Sequence, residues 1–587
     1  MKEMKWGQIL KRNKELGMAM SGRVRRIALL SNTTVFQLKD ILELKLRESG
    51  VAAEIHLGDY DSIVQNSERF SQYDAVIIFW ELSNLLDGFN FKVNLLNHDE
   101  LKAITEKVRA EIQLSLENLK NTPLVLFNRF TSFPYDFEIL KDSESKVVSD
   151  QLNVVLKTMV SHNQLVVDIE KVIALTGLEK AIDYRQFQMS KSLYTKDFFI
   201  NYAEQVKPAF LAMNGVVKKV LVLDCDNTLW GGVLGEDGEN GIEMSDLTAK
   251  GKCFHEVQSL IKGFQRKGIV LALCSKNNAK DVDMVLKNHP DMILQDTDFV
   301  AKKVNWVDKA TNLKELSLEL NLGLESFVFV DDSEFEIGLI RRELPQVQAI
   351  LVPTEISSYP ETIRGLQREF FTLSSTKEDI NKTVMYQDEH ARIESSQKFG
   401  SIDDYLASLG LVLTVSFNRE VSVARASQLT QKTNQFNLRT ARYSEIEIGE
   451  FINDDNYLVS SFSLSDKFGD YGITGLSIVK LDGRLAFFDT FLMSCRVIGR
   501  NVEFEFFDQI ISRIKQMKID VTKLQAEWIS TLKNKQVSKF YEGLGFICIK
   551  ESNASKIYEI PMDEYVLRDI RYIHTLNELE IRYDDKG

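Results

Sequence analysis

Cysteine is scarce in this chain of 587 residues: there are five, and no two form a Cys-x-x-Cys pair. Spread so thinly they frame neither a disulfide scaffold nor a zinc site, and they read as the reduced thiols of a cytosolic protein. Proline is also rare, with 8 residues, and no Gly/Ser tract occurs; floppy linkers are excluded and structured connectors are expected. No uninterrupted apolar stretch approaches the roughly 18 residues of a membrane span. The opening Met1-Lys-Glu-Met-Lys-Trp-Gly7 lacks a signal-peptide core, and charges recur through Glu15. Positive charge is in deficit, the net charge being −13, which disfavours non-specific nucleic-acid binding. The expectation is a cytoplasmic protein with neither membrane nor nucleic acid as partner.

The composition, 44% hydrophobic and 27% charged, is globular, and the length suggests roughly three or four domains. Apolar runs alternate with helical patterns from residue 24 to about 355, an α/β signature. The first set is Arg26-Ile-Ala-Leu-Leu30, Ala75-Val-Ile-Ile-Phe-Trp80, Leu124-Val-Leu-Phe127 and Leu165-Val-Val-Asp168. A second set begins at Val220. The stretch Thr376 to Leu409 is charged and poor in glycine and reads as a helical connector.

The most informative run is Val220-Leu-Val-Leu-Asp-Cys-Asp-Asn-Thr-Leu229. In a continuing strand Asp224, Asp226 and Thr228 would point one way, at the strand end where an open α/β sheet binds its ligand. One carboxylate can attack phosphorus or hold a cation while the other passes a proton. The plain alternative is a surface turn, since Asp-Asn-Thr is good turn chemistry. Three further segments follow in order. Gly268-Ile-Val-Leu-Ala-Leu-Cys-Ser-Lys-Asn277 ends in Ser275; Asn305-Trp-Val-Asp-Lys-Ala310 offers Lys309 at the start of a helical pattern; Phe327-Val-Phe-Val-Asp-Asp-Ser333 ends in paired acids. Together they supply a nucleophile, a phosphate-binding hydroxyl, a cation and acids for magnesium.

These four segments resemble the motifs of the haloacid dehalogenase (HAD) superfamily. The resemblance implies Asp224 as the nucleophile that forms an aspartyl-phosphate and Asp226 as the general acid/base. It implies Thr228 as an orienter of the loop and phosphate ligand, with Ser275 and Lys309 as further phosphate ligands. Mg²⁺ would be held by Asp224, Asp331, Asp332 and the backbone carbonyl of Asp226.

Two other regions carry weaker resemblances. Ser31-Asn32-Thr33-Thr34 closes the first strand and Asn128 a later one, an arrangement similar to SGNH-type esterases. The Gly-Asp-Ser of those enzymes is missing, no Asp-x-x-His follows, and Asp168 and His162 stand in the wrong order. A binding or docking domain that kept the fold is expected instead. Near the carboxy terminus, Arg496-Val-Ile-Gly-Arg500 resembles the loop by which GNAT acyltransferases hold the pantetheine and pyrophosphate of coenzyme A, with Arg500-Asn501 in place of the last small residues. Asn534-Lys-Gln-Val-Ser-Lys-Phe-Tyr-Glu-Gly-Leu-Gly-Phe546 resembles the segment that closes GNAT folds. Arg496, Gly499, Arg500, Asn534 and Tyr541 are the pantetheine-binding residues this implies.

Taken together, Asp224-Cys-Asp-Asn-Thr-Leu-Trp-Gly-Gly-Val-Leu-Gly-Glu-Asp-Gly238, Cys274-Ser-Lys-Asn277, Asn305-Trp-Val-Asp-Lys309, Gln431-Lys-Thr-Asn-Gln-Phe-Asn437 and Ser494-Cys-Arg-Val-Ile-Gly-Arg500 resemble the FkbH-like (HAD class IIIC) proteins. The implied architecture is α/β and multidomain. It comprises an SGNH/flavodoxin-like domain over 1–200, a HAD Rossmann-like core over 215–370, a helical connector over 371–410 and a GNAT-like α+β domain over 411–587. The implied activity is Mg²⁺-dependent loading of a glyceryl unit from 1,3-bisphosphoglycerate onto the phosphopantetheine thiol of an acyl carrier protein. Cys274, beside Ser275 and Lys309, is the favoured carrier of a thioester, with Cys495 beside Arg496 as the second choice and Cys225 as core packing. The alternatives are a Mg²⁺-dependent phosphatase or phosphotransferase on a small metabolite, with coenzyme A or nothing in the last domain, and a catalytically silent scaffold.

Overall fold

Short runs of Val, Leu, Ile and Phe buried on both faces are what parallel sheets are made of, and two such sheets form. The structure, a computed structural model, describes every residue except 2, 21–22, 87, 139, 162, 374–400, 419–420, 518–519, 532, 553 and 578–587. The expected connector lies largely outside the described residues, as does His162. The chain forms two compact units, Met1–Asn214 and Gly215–Gly587.

In the first unit, β1 (Arg25–Ser31), β2 (Ala53–Leu57), β3 (Ala75–Phe79), β4 (Leu124–Asn128) and β5 (Gln164–Val167) form one parallel sheet in the order β2-β1-β3-β4-β5. That is the flavodoxin-like doubly wound order. Its core gathers Ala28, Leu30, Val76, Ile78, Val125 and Phe127 under flanking helices.

The second unit holds two sheets. β6 (Val220–Leu223), β7 (Val270–Ser275), β8 (Phe299–Val304), β9 (Phe327–Asp331) and β10 (Gln348–Leu351) lie in the order β10-β9-β6-β7-β8, all parallel. In chain order this is 3-2-1-4-5 read from the β8 edge, the Rossmann-like winding whose order reverses between β6 and β9. Strand periodicity sorts the two faces: Leu221, Leu223, Leu271 and Leu273 pack on one side, while Val220, Val222, Val270, Ala272 and Cys274 pack on the other with Ala310, Leu313 and Leu316.

The third sheet is mixed and mostly antiparallel. It runs β17 (Ile547–Glu551), β18 (Ser555–Pro561), β16 (Lys523–Ile529), β15 (Leu485–Met493), β14 (Gly469–Asp482), β13 (Tyr457–Asp466), β11 (Leu411–Phe417) and β19 (Ile573–Asn577). The helix Val502–Gln516 buries Phe506, Phe507, Ile510 and Ile511 in its core. β15 and β16 are parallel and pair only from Leu485–Lys523 to Phe488–Ala526. Beyond that, β12 (Phe436–Asn437) pairs with β15 at Leu492 and Met493, and Ile529 N donates to Leu438 O at 2.8 Å. The chain itself thus fills the space where the two strands part, satisfying backbone groups that would otherwise be buried without partners.

Candidate active site at a strand switch point

Asp224 follows β6 and Asp331 ends β9, so the two carboxylates stand where the strand order reverses, at the carboxyl edge of the sheet. In open α/β sheets that crevice is the ligand site. One carboxylate oxygen each from Asp224, Asp331 and Asp332 lies within 4.8 Å of the others. Lys309 joins them: its Nζ is 3.0 Å from Asp224 Oδ1 and donates to Asp331 Oδ2 at 2.5 Å. It arrives from the first turn of the helix Lys309–Glu319, whose cap Asp308 accepts from Thr311 N at 2.8 Å.

Charge and burial compete here. Burial, with Asp224 adding to it, pushes the Asp331 carboxyl up to about 6, against the pull of Lys309. Burial opposes the Lys309 charge, but Asp224 and Asp331 outweigh it and hold the ammonium above its usual value. Burial also raises Asp332, with Asp224 as second cause. A cluster of three acids around one buried lysine has negative charge in excess, and its hard oxygen donors fit Mg²⁺.

After Leu223 the chain does not continue as a strand. Thr228 N and Leu229 N both donate to Cys225 O, so residues 225–229 form a turn, and Asp226 is positioned by that turn rather than by strand alternation. Its Oδ1 accepts from Trp230 Nε1 at 2.9 Å and Leu234 N at 3.0 Å, and its Oδ2 from Asn277 Nδ2 at 3.0 Å. Burial lifts its pKa above the ordinary value against these donors, which suits a group that must hold and release a proton. Asn227 takes up φ 50°; its Oδ1 accepts from Gly232 N at 3.0 Å. Gly232 has φ +100°, and a Cβ there would sit 2.7 Å from Asp237 Oδ2, so the Trp-Gly-Gly run is needed to fold the turn.

Thr228 Oγ1 is buried without a hydrogen-bond partner among the described residues. Ser275 is buried at the end of β7. Cys225 packs in the core. Three further groups went unread in the sequence: Trp230 and Asn277, which hold Asp226, and Tyr359. The Tyr359 hydroxyl is buried without a partner among the described residues, and its pKa is raised by burial first and then by Asp224, Asp332 and Asp331. Trp230 and Asn277 lie in the quoted Trp-Gly-Gly and Cys-Ser-Lys-Asn segments, while nothing in the sequence marked Tyr359.

The cysteines fall elsewhere. Cys274 is fully buried beneath the Lys309 helix, its Sγ 3.9 Å from Lys309 O. Burial pushes its thiol well up, and Lys309 offsets only part of this. Packing closes to solvent the thiol that the resemblance makes the carrier of a thioester. Cys495 packs against the core of the second sheet; Asn321 Nδ2 donates to its carbonyl at 2.7 Å. Asn321 lies before β9, at the edge opposite the carboxylates, so Cys495 cannot serve them either.

The expected pantetheine residues are mostly turned inward. Asn534 is buried, and its Nδ2 donates to Asn437 O at 2.9 Å and Ile529 O at 2.8 Å, clipping β12 in place. Tyr541 is buried among Phe507, Phe546 and Tyr558. Arg500 donates to Arg496 O and lies 4.9 Å over the Tyr471 ring. Gly499 has φ +84°, and Arg496 Nε donates to Ser494 Oγ at 3.3 Å. The first turn of the helix Val502–Gln516 carries Glu503 and Glu505, whose charges already complement the helix dipole that a pyrophosphate would use. In the first unit, Ser31 Oγ donates to Phe79 O at 2.8 Å and Asn128 Oδ1 accepts from Tyr202 at 2.7 Å; both serve the fold.

No family model matches the chain, and no curated protein matches it. Among solved structures it is similar to the N-terminal part of the protein BF1531 from Bacteroides fragilis, which contains a phosphatase domain and was solved in complex with Mg. The identity is 24% and the TM-score 0.55, over 63% of this chain and 100% of that one. At that identity the likeness shows the fold alone. The ribosomal-protein-S18-alanine N-acetyltransferase from Escherichia coli matches at 15% identity and TM-score 0.21 over 26% of this chain and 94% of its own. The PaiA N-acetyltransferase from Thermoplasma acidophilum, in complex with coenzyme A, matches at 15% and 0.17 over 20% and 72%. Scores that low carry no argument. No helix among the described residues is long and apolar enough to cross a membrane.

Proposed function

We propose that this chain is a Mg²⁺-dependent phosphatase or phosphotransferase of the HAD type, acting on a small phosphorylated molecule through Asp224. The observation that carries this is Lys309 bridging Asp224 and Asp331 at the switch point, with Asp332 in the same cluster. Asp224, Asp331, Asp332 and the Asp226 carbonyl would hold the ion, and bound Mg²⁺ supplies the positive charge that lets phosphate oxygens approach three acids. The phosphatase domain named for the Bacteroides fragilis neighbour agrees with this reading.

The chain's own groups then act in two steps. An Asp224 oxygen attacks phosphorus, the bond to the leaving oxygen breaks, and that oxygen takes the proton held by Asp226. Water next attacks the aspartyl-phosphate, gives its proton to Asp226, and phosphate leaves with Asp224 regenerated. Lys309 faces the charge that builds on the transferring oxygens. The test is phosphate release from small phosphate esters and acyl phosphates. It should require Mg²⁺ and disappear in Asp224→Asn with the melting curve kept; release that survives Asp224→Asn would refute the assignment.

The glyceryl loading implied by the FkbH-like resemblance belongs to the same centre. With Cys274 sealed and Cys495 at the far edge, the acyl group would pass directly to the thiol of a holo acyl carrier protein. A hydroxylamine-labile adduct on the carrier, with none on the chain's cysteines, is the expected result. The same proposal takes the first unit as a non-catalytic binding domain of SGNH-like fold and the region over 411–587 as GNAT-like. The five free cysteines favour a cytoplasmic setting.

A further inference from the structure

The helix Ala249–Arg266 leads into β7, and the chain enters β6 beside it. At that amino-terminal edge of the second sheet, opposite the carboxylates, lies a cavity of about 350 Å³, within the usual size of small-ligand sites. Its apolar wall is Val217, Phe264, Ile269, Phe370 and Phe371, with the Phe264 and Phe370 rings 5.7 Å apart. Val217 and Phe371 keep part of their surface in solvent, so the wall is open to an occupant.

Five cations line the same cavity, and among its described lining residues there is no carboxylate. Three of the cations are engaged. Lys218 Nζ donates to Glu325 O at 2.8 Å, Lys219 Nζ to Lys432 O at 3.3 Å, and Lys432 is partnered as well. Arg266 and Lys267 differ: both are exposed, and their side chains make no ion pair or hydrogen bond among the described residues. At the end of the helix Ala249–Arg266 they complement its dipole, a role that leaves their head groups in water. An apolar wall with two accessible, unpaired cations beside it matches a molecule that has an apolar body and one anionic end.

We propose that this cavity binds a small amphiphilic carboxylate, an anion with an apolar chain or ring. The Arg266 guanidinium takes the carboxylate by charge-assisted hydrogen bonds, with the Lys267 ammonium beside it. The chain or ring leaves water against Phe264, Phe370 and Phe371. Lys219 and Asp224 flank β6 at opposite ends, five residues of extended chain or roughly 16 Å apart. The site is therefore separate from the carboxylate centre and stands without its chemistry.

The experiment is calorimetric titration of the full chain, in EDTA, with three probes: octanoate, octanol, which has the chain without the charge, and acetate, which has the charge without the chain. Octanoate is expected to bind, octanol about tenfold more weakly for want of the charge-assisted bonds, and acetate not at all. Arg266→Ala/Lys267→Ala should bring octanoate down to the level of octanol and leave octanol unchanged, while Phe371→Ala should weaken both. Asp224→Asn should alter none of these values. Both cations are exposed, so the double variant should melt as wild type does; if it does not, Lys267→Ala alone serves, with a partial loss of octanoate affinity expected. Absence of octanoate binding, equal binding of octanoate and octanol to the wild type, or an advantage of octanoate that survives in the cation variants would overturn the proposal.

Discussion

Lys309 decides the charge balance of the carboxylate cluster, because it is the buried cation between Asp224 and Asp331. Removing one partner of a buried charged group costs about 3–5 kcal/mol, since the remaining charges are left uncompensated. Lys309→Met should lower the melting temperature of the Mg²⁺-free protein, with part of the loss restored by Mg²⁺. Phosphate release should fall about 10²–10³-fold, as when one preorganised stabiliser of a transition state is removed. Trp230→Phe is milder. It deletes one of three hydrogen bonds to Asp226, each worth about 1.5–3 kcal/mol to a charged group, and should reduce kcat about tenfold with little change in KM. Cys274→Ala should leave turnover intact and cost about 1 kcal/mol of stability as a small cavity. A further residue-scale prediction concerns Glu81 of the first unit, which accepts from Tyr194 at 2.6 Å. Burial pushes its carboxyl up to about 7. Between the unfolded value near 4.5 and that figure, the folded chain holds a proton the unfolded chain has lost. Stability therefore falls as pH rises through this window and is flat above it, by an amount on the order of 3 kcal/mol. Urea unfolding of Glu81→Gln and wild type, below and above the window, should show a shallower slope in the variant, since Asp331, also raised by burial, titrates in both.

At the scale of elements, the inner strands were legible because they are buried on both faces: β1, β3, β4, β6, β7 and β9 are continuous apolar runs. The edge strands β2 (Ala-Glu-Ile-His-Leu) and β8 (Phe-Val-Ala-Lys-Lys-Val) carry the polar and lysine residues that guard a sheet edge, and their patterns do not stand out. β12 has two residues and no periodicity at all, yet it decides what the third sheet can hold. Asn534→Ala should release it: two hydrogen bonds to Asn437 O and Ile529 O are lost, at about 1–3 kcal/mol for each buried acceptor left unpaired. Calorimetric unfolding should show the lower stability, and phosphate release at Asp224 should be unaffected well below the transition.

For the whole molecule, the order of chemistry along the chain was written in the sequence. An acid pair after one apolar run, a hydroxyl after the next, a lysine at a helix start and a second acid pair lie in local segments, and each segment's strand or helix follows from its own period and caps. The same holds for the α/β class; the ion pairs of Lys309 with Asp224 and Asp331 were not read there, where Lys309 stood only as a phosphate ligand. What only the tertiary structure decided was access. Cys274 and Ser275 are neighbours in the chain, but the Cys274 side chain packs beneath the Lys309 helix while Ser275 ends the strand. Asn534 and Tyr541 match a ligand-binding segment by residue type, but β12 and the aromatic core claim them. Asp226 owes its place to Trp230 and Asn277 rather than to strand alternation. Sequence determines what a side chain can do within a few residues of itself; which side of a sheet is covered, and by which distant segment, is set by long-range packing that has no local signature.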